Sequence, residues 1–150
     1  MQIEKAQIDD HIILSKITYL GKAFWGYDKE LLDKWKEDLT ITPDYIIKNN
    51  VFKLISDGKI IGYYSFLKLE NNILKLDFLF ILPEYIGSGI GKLLMTDFID
   101  KAKNLNIEKI ILDADPNAEK FYSKFGFQTY NKLESSVKNR FLPQMQLILN

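Results

Sequence analysis

Alternating apolar and polar positions from Gln2 to Gln7 predict a short strand, after which Asp9 or Asp10 can cap a helix with Ile12, Ile13, Ile17 and Leu20 toward one side. Asp28 opens a second helical segment with Leu31, Leu32 and Trp35 on one face. Thr42-Pro43 then places a cap and an N1 proline before Tyr45, Ile46 and Ile47. Beyond these helices the period shortens to two. Val51 to Ser56 and Ile60 to Leu69 are β-rich runs separated by Asp57-Gly58, a strong hairpin signal, and Asn71-Asn72 turns the chain again into Ile73 to Leu82. The result is an antiparallel meander of three strands. Helical spacing returns at Ile90, Leu93, Leu94, Phe98, Ala102 and Leu105. A short buried strand from Lys109 to Leu112, a helix from Ala118 to Phe125 and two last strands, Phe127 to Leu133 and Met145 to Leu149, complete the chain. A strand-helix-strand unit after a meander predicts an α/β fold with a mixed sheet and helices on its faces.

Composition bounds this picture. With 150 residues, 47% of them hydrophobic, the chain suffices for one domain over 1–150 and is short for two. Basic and acidic residues number 20 each, so no net field draws it to nucleic acid or to an anionic membrane. The absence of cysteine excludes disulfides, thiolate metal sites and a cysteinyl intermediate. Met1-Gln-Ile-Glu-Lys5 lacks a signal-peptide layout, and no apolar run approaches the roughly 20 residues of a membrane span, so a soluble, cytoplasmic protein is expected. His11, the only histidine, sits in the first helix and reads more simply as an ordinary helix residue than as a base; no metal site can be built on it.

The densest signal is Pro83-Glu-Tyr-Ile-Gly-Ser-Gly-Ile-Gly-Lys-Leu-Leu94, three alternate glycines between a strand and a helix. Gly87, Gly89 and Gly91 allow tight turns with exposed N–H groups, and the following helix adds its positive dipole end, so the segment suits an anion. A Walker A loop would need Gly at 86 and Ser or Thr at 93, where Ile86 and Leu93 stand. A dinucleotide fingerprint would need Gly at 92 or 94, where Lys92 and Leu94 stand.

From Leu79 to Leu94 the chain resembles the acetyl-CoA loop of the GCN5-related N-acetyltransferases: a strand, Pro, a few residues, Arg or Gln, then x-x-G-x-G/A into a helix. Ile86 takes the usual place of Arg or Gln, which implies weaker or differently organised cofactor binding rather than none. A second stretch, Asp113-Ala-Asp-Pro-Asn-Ala-Glu-Lys-Phe-Tyr-Ser-Lys-Phe-Gly-Phe127, resembles the family's later motif. There Asp115-Pro116 caps and starts a helix, Phe121 and Phe125 face the core, and Gly126 stops the helix in the left-handed conformation. Together with Asn139-Arg-Phe-Leu-Pro-Gln-Met145 it is similar to a small bacterial branch of the family.

The resemblance implies a GNAT-like, mostly antiparallel mixed sheet of about six to seven strands flanked by about four to five helices. It also implies acetyl-CoA as acyl donor, an amine as acceptor, and direct transfer in a ternary complex. The pyrophosphate would be cradled by Ile86, Gly87, Ser88, Gly89, Ile90, Gly91 and Lys92, and the pantetheine would pair with backbone around Phe80 and Ile81. Asn117 would be a further cofactor contact, Tyr122 the general acid and Asp77 the base. Asp77 lies between Leu76 and Phe78, where desolvation could prepare it as a base; alternatively it is a solvent-side carboxylate or pairs with Lys75 or Lys68. Tyr122 is otherwise a helix tyrosine with its hydroxyl at the surface. Trp25, Trp35 and Tyr27 are packing residues or an exposed aromatic cluster beside the acceptor, and Arg140 is a surface charge or a partner for an acidic group of the acceptor. A non-catalytic acyl-CoA-binding module and a plain interaction domain are the competing classes, and a homodimer is left open.

Overall fold

The computed structural model describes residues 1–149. Seven strands, Gln2–Lys5 (β1), Asn50–Ser56 (β2), Lys59–Lys68 (β3), Ile73–Ile81 (β4), Lys109–Asp113 (β5), Gln128–Glu134 (β6) and Phe141–Ile148 (β7), are hydrogen-bonded in the order β1-β2-β3-β4-β5-β7-β6. Five helices accompany them: His11–Ala23 (α1), Lys29–Lys34 (α2), Pro43–Lys48 (α3), Ile90–Asn104 (α4) and Glu119–Ser123 (α5). The β4–β5 ladder is parallel, whereas β1–β2, β2–β3, β5–β7 and β6–β7 are antiparallel. This is the mixed, mostly antiparallel sheet expected. Among the described residues no helix is long and apolar enough to cross a membrane.

The chain divides into two compact units, Met1–Phe66 with Phe78–Ile99, and Leu67–Asp77 with Asp100–Asn150. In the first, Asp57 (φ 51°) and Gly58 (φ 75°) both adopt the left-handed backbone of a tight hairpin turn, which explains why Asp-Gly closes β2 onto β3. The α2 and α3 helices start where the caps predicted: the carboxylate of Asp28 accepts the Leu31 N–H at 2.9 Å, and the Thr42 hydroxyl accepts that of Tyr45 at 3.0 Å.

The α1 helix is rotated from its expected orientation. Leu14, Ile17, Thr18 and Gly21 are buried, while Ile12 is 71% exposed. A polar contact and a close approach set this rotation. The Thr18 hydroxyl donates to the Leu14 carbonyl at 2.7 Å and so accepts from the Tyr63 hydroxyl of β3. Tyr63 and Tyr64, successive and fully enclosed, point to opposite faces of the sheet. Tyr64 stacks on Phe52 at 5.5 Å between ring centroids and meets Phe98 of α4 at 5.4 Å.

In the second unit Asn71 and Asn72, at φ 62° and 58°, turn the chain into β4, and the Asn72 carbonyl accepts the Glu108 N–H at 2.9 Å just before β5. The last strand begins at Phe141 rather than Met145. Pro143 interrupts the apolar pattern, yet Lys132↔Pro143 and Leu133↔Leu142 keep register across it, and its carbonyl accepts the Ala114 N–H at 2.8 Å. The helix expected from Ala118 to Phe125 is shorter, because a 3-10 turn, Pro116–Ala118, precedes α5. Gly126, at φ 97°, ends that segment as the sequence predicted. Tyr122 and Phe127 take the enclosed positions, and Phe121 and Phe125 are half-buried partners with centroids 5.1 Å apart.

Candidate functional site

Downstream of β4 the Leu82 N–H bonds to the Ile61 carbonyl at 2.8 Å, and a 3-10 turn, Pro83–Tyr85, leads into the glycine segment. Gly87 and Gly89 have φ of 86° and 88°, a conformation that costs other residues roughly 1–2 kcal/mol. A Cβ built at either position meets nothing within 4 Å, so backbone conformation, not crowding, demands glycine, and the space above the loop is open. Gly91 differs: it is the second residue of α4 and contributes as part of a helix N-terminus.

The N–H groups of this loop fall into two sets. Those of Ile86 and Ser88 donate to the Pro83 and Tyr85 carbonyls at 3.1 and 3.2 Å, and that of Leu93 to Gly89 at 3.1 Å. Those of Gly87, Gly89, Ile90, Gly91 and Lys92 make no such turn bond among the described residues. The donors left for a ligand are therefore concentrated at the two left-handed glycines and the first turn of α4, a fitting arrangement for an anionic group. The Ser88 hydroxyl is directed back to the Tyr85 carbonyl. Ile86 is extended and 39% exposed, an apolar side chain at the mouth of a polar loop.

Two glycines that the sequence pattern did not single out fix the end of β4. A Cβ at Gly21 of α1 would lie 2.6 Å from the Phe80 ring; one at Gly62 of β3 would lie 2.8 Å from Ile81 and 3.1 Å from the Phe80 carbonyl. Helix and strand thus close on Phe80 and Ile81 from two sides. The signal available in the sequence was a glycine inside each regular element, which weakens that element unless a close approach needs it.

In the second unit Tyr122 is only 9% exposed, packed edge-on against Phe121 and Phe127. Burial, and after it the negative charge of Asp115, push its pKa above the ordinary tyrosine range, so the phenol is protonated at neutral pH. No described hydrogen bond engages its hydroxyl, and among the described residues no fully enclosed side-chain oxygen lacks a partner, so the Tyr122 hydroxyl is not wholly sealed from solvent. The Asp115 carboxylate accepts the Asn117 N–H at 2.9 Å and its side-chain amide at 3.0 Å, which places Asn117 at the exposed edge of the 3-10 turn. Asp77 is exposed: alternation along β4 turns Leu74 and Leu76 inward and Lys75 and Asp77 outward, so the free chain lacks the burial anticipated for it. Lys75 pairs with Asp113 at 3.3 Å.

Neither reading of the aromatic residues before β2 holds for all of them. Phe24 and Trp25 are exposed at 48% and 39%, whereas Tyr27 and Trp35 are half-buried and meet edge to face at 5.0 Å, with the Lys22 ammonium 5.5 and 5.3 Å from their rings. Arg140 is no surface charge: it pairs with Asp115 at 3.2 Å, with both side chains largely enclosed.

A family model described as an acetyltransferase (GNAT) domain matches residues 27–149. This chain belongs to that family of acetyltransferase domains. It is 30% identical over 96 residues to YafP, an uncharacterized N-acetyltransferase of Escherichia coli K12; the match covers 64% of this chain and 53% of that protein. The chain thus spans about half the length of this curated relative. The PaiA N-acetyltransferase of Thermoplasma acidophilum, solved with coenzyme A, has the same fold at a TM-score of 0.80 and 20% identity, over 99% of this chain and 98% of that one. An acetyltransferase of Bacillus subtilis, also solved with CoA, matches at a TM-score of 0.71 and 18% identity over 99% of each chain.

Proposed function

We propose that this chain is an acetyl-CoA-dependent N-acetyltransferase that passes the acetyl group directly to a primary amine of a small molecule or a protein within a ternary complex. The observation that carries it is the pair of left-handed glycines, Gly87 and Gly89, whose loop leaves unspent N–H groups at the start of α4 in a chain of this family. Backbone donors there hold the pyrophosphate, and β4, which continues to Ile81 beyond the Lys75↔Ile111 pair with β5, offers Phe80 and Ile81 to the pantetheine. The setting we propose is the cytoplasm, with which the Cys-free composition is compatible.

The chemistry asks for two protons removed from the acceptor nitrogen and one supplied to the sulfur. Asp77, directly or through water, takes the proton of the acceptor ammonium; the freed amine nitrogen forms a bond to the thioester carbonyl carbon, and the carbon–sulfur bond breaks. The leaving sulfur receives a proton from the phenol of Tyr122, protonated at neutral pH and with no internal hydrogen bond to give up. The nitrogen, cationic once bonded to carbon, loses its second proton to solvent; free thiol and an N-acetyl amide are the products, Asp77 passes its proton to solvent and Tyr122 regains one from it.

Two measurements made together test the proposal. Saturating acetyl-CoA at about 100 times its dissociation constant adds about 2.7 kcal/mol, a rise in Tm of about 5 to 10 °C for a chain of this size, which neither NADH nor ATP should reproduce. Thiol release across a panel of amines then reads turnover. A thermal shift with no thiol release from any amine would favour a non-catalytic acyl-CoA-binding module, and no shift at all would overturn the proposal.

A further inference from the structure

The motif Asn139-Arg-Phe-Leu-Pro-Gln-Met145 is not used by the transfer chemistry, yet three of its residues are fastened to the segment before Tyr122. The Gln144 side-chain amide donates to the Asp113 carboxylate at 3.0 Å. The Pro143 carbonyl accepts the Ala114 N–H at 2.8 Å. The Arg140 guanidinium donates to the Asp115 carboxylate at 3.2 Å. Three consecutive residues, 113 to 115, are each held by a different residue of one strand start. The motif's other members serve the same end: Asn139, at φ 63°, turns the chain so that Arg140 faces inward, and Met145 is fully buried and anchors the strand. The connection that delivers Arg140 is itself tied, with the Ser135 N–H on the Arg140 carbonyl at 3.1 Å and the Arg140 N–H on that of Val137 at 3.1 Å.

What is held is the start of the catalytic helix. Asp115 is the cap of the Pro116–Ala118 turn, which runs without a break into α5 and Tyr122. With Arg140 and Asp115 side chains only 14% and 10% exposed, the pair is enclosed, and removing the guanidinium takes the opposite charge away from a largely buried carboxylate. We infer that Arg140 is a positioning residue for the acetyl transfer: through Asp115 it sets the turn that aims the Tyr122 hydroxyl. This rests on Tyr122 as the acid of the proposed reaction.

The experiment uses the full chain with Arg140→Met, Arg140→Lys and the double variant Arg140→Met with Asp115→Asn, which keeps a capping oxygen and strands no charge if the single change impairs folding. Hydrogen exchange is read over residues 113–122, and steady-state thiol release is measured in the parent and in a Tyr122→Phe background. Arg140→Met should speed exchange of that segment about tenfold while leaving β2 and β3 unchanged. It should lower kcat about tenfold with the acceptor KM within about twofold, and Arg140→Lys should recover part of that loss. In the Tyr122→Phe background the same change should cost no further kcat. Unchanged exchange in Arg140→Met, or an undiminished loss of kcat in the Tyr122→Phe background, overturns the inference. If exchange rises but Tyr122→Phe turns over like the parent, the clamp on the turn stands and it is the acid that has been wrongly assigned.

Discussion

Tyr64 in the first unit and Tyr122 in the second are both enclosed tyrosines whose pKa is raised, chiefly by burial, and they differ at one atom. The Tyr64 hydroxyl donates to the Asp97 carboxylate at 2.6 Å, the short distance of a charge-assisted bond, and its ring lies among Phe52, Phe66 and Phe98. Its donor is spent on the fold. Among the described residues the Tyr122 hydroxyl makes no hydrogen bond, and its ring packs edge-on against Phe121 and Phe127. Burial and a perturbed pKa are therefore common to both phenols, and an uncommitted proton is what sets apart the one proposed as the acid.

That contrast can be broken at several points. Gly89→Glu acts on the donor rather than on the proposed acid: a left-handed glutamate adds strain and a like charge to the loop, so acetyl-CoA affinity should fall about 100-fold or more and the thermal shift should vanish. Retained affinity, measured by calorimetry, would displace the cofactor from the loop. Tyr64→Phe removes the phenol's bond to the Asp97 carboxylate and should cost about 1 kcal/mol in urea unfolding while sparing acetyl-CoA binding. A loss below about 0.5 kcal/mol would mean the bond carries nothing.

Alkaline unfolding separates what the two tyrosines share from what they do not. Both have folded pKa values above the unfolded value of about 10, so their contribution is complete below that pH. Above it the unfolded phenols release protons that the folded ones keep, and stability falls by up to about 1.4 kcal/mol per pH unit for each. Tyr64→Phe and Tyr122→Phe should each remove one such increment from the slope above pH 10; an unchanged slope in either would deny that tyrosine its burial. The smallest effect expected is that of Asp77→Asn, which should lower kcat about tenfold with acetyl-CoA affinity unchanged. A parental kcat leaves water to remove the amine proton.

The parts of this fold that the chain announces are those governed by local backbone chemistry. Asp57-Gly58, Thr42-Pro43, Gly126 and the Gly87/Gly89 pair each act through their own φ or cap, and each is found where the pattern put it. Features set by partners distant in sequence were not legible. The rotation of α1 depends on Thr18 meeting Tyr63, and Gly21 and Gly62 are required by Phe80 and Ile81 across other elements. Pro143 hid the start of β7, since its missing N–H argues against a strand until the Ala114 bond and the β6 register are known. Arg140 read as a surface or acceptor-facing charge because its partner lies at Asp115, in the other motif.

The most direct test sets thiol release by Tyr122→Phe against that by Tyr64→Phe at saturating acetyl-CoA and amine. If the uncommitted phenol is the acid, Tyr122→Phe should be about 100-fold slower with acetyl-CoA binding intact, and Tyr64→Phe, once folded, should turn over like the parent. Equal rates in the two variants, or a slower Tyr64→Phe, would contradict the account.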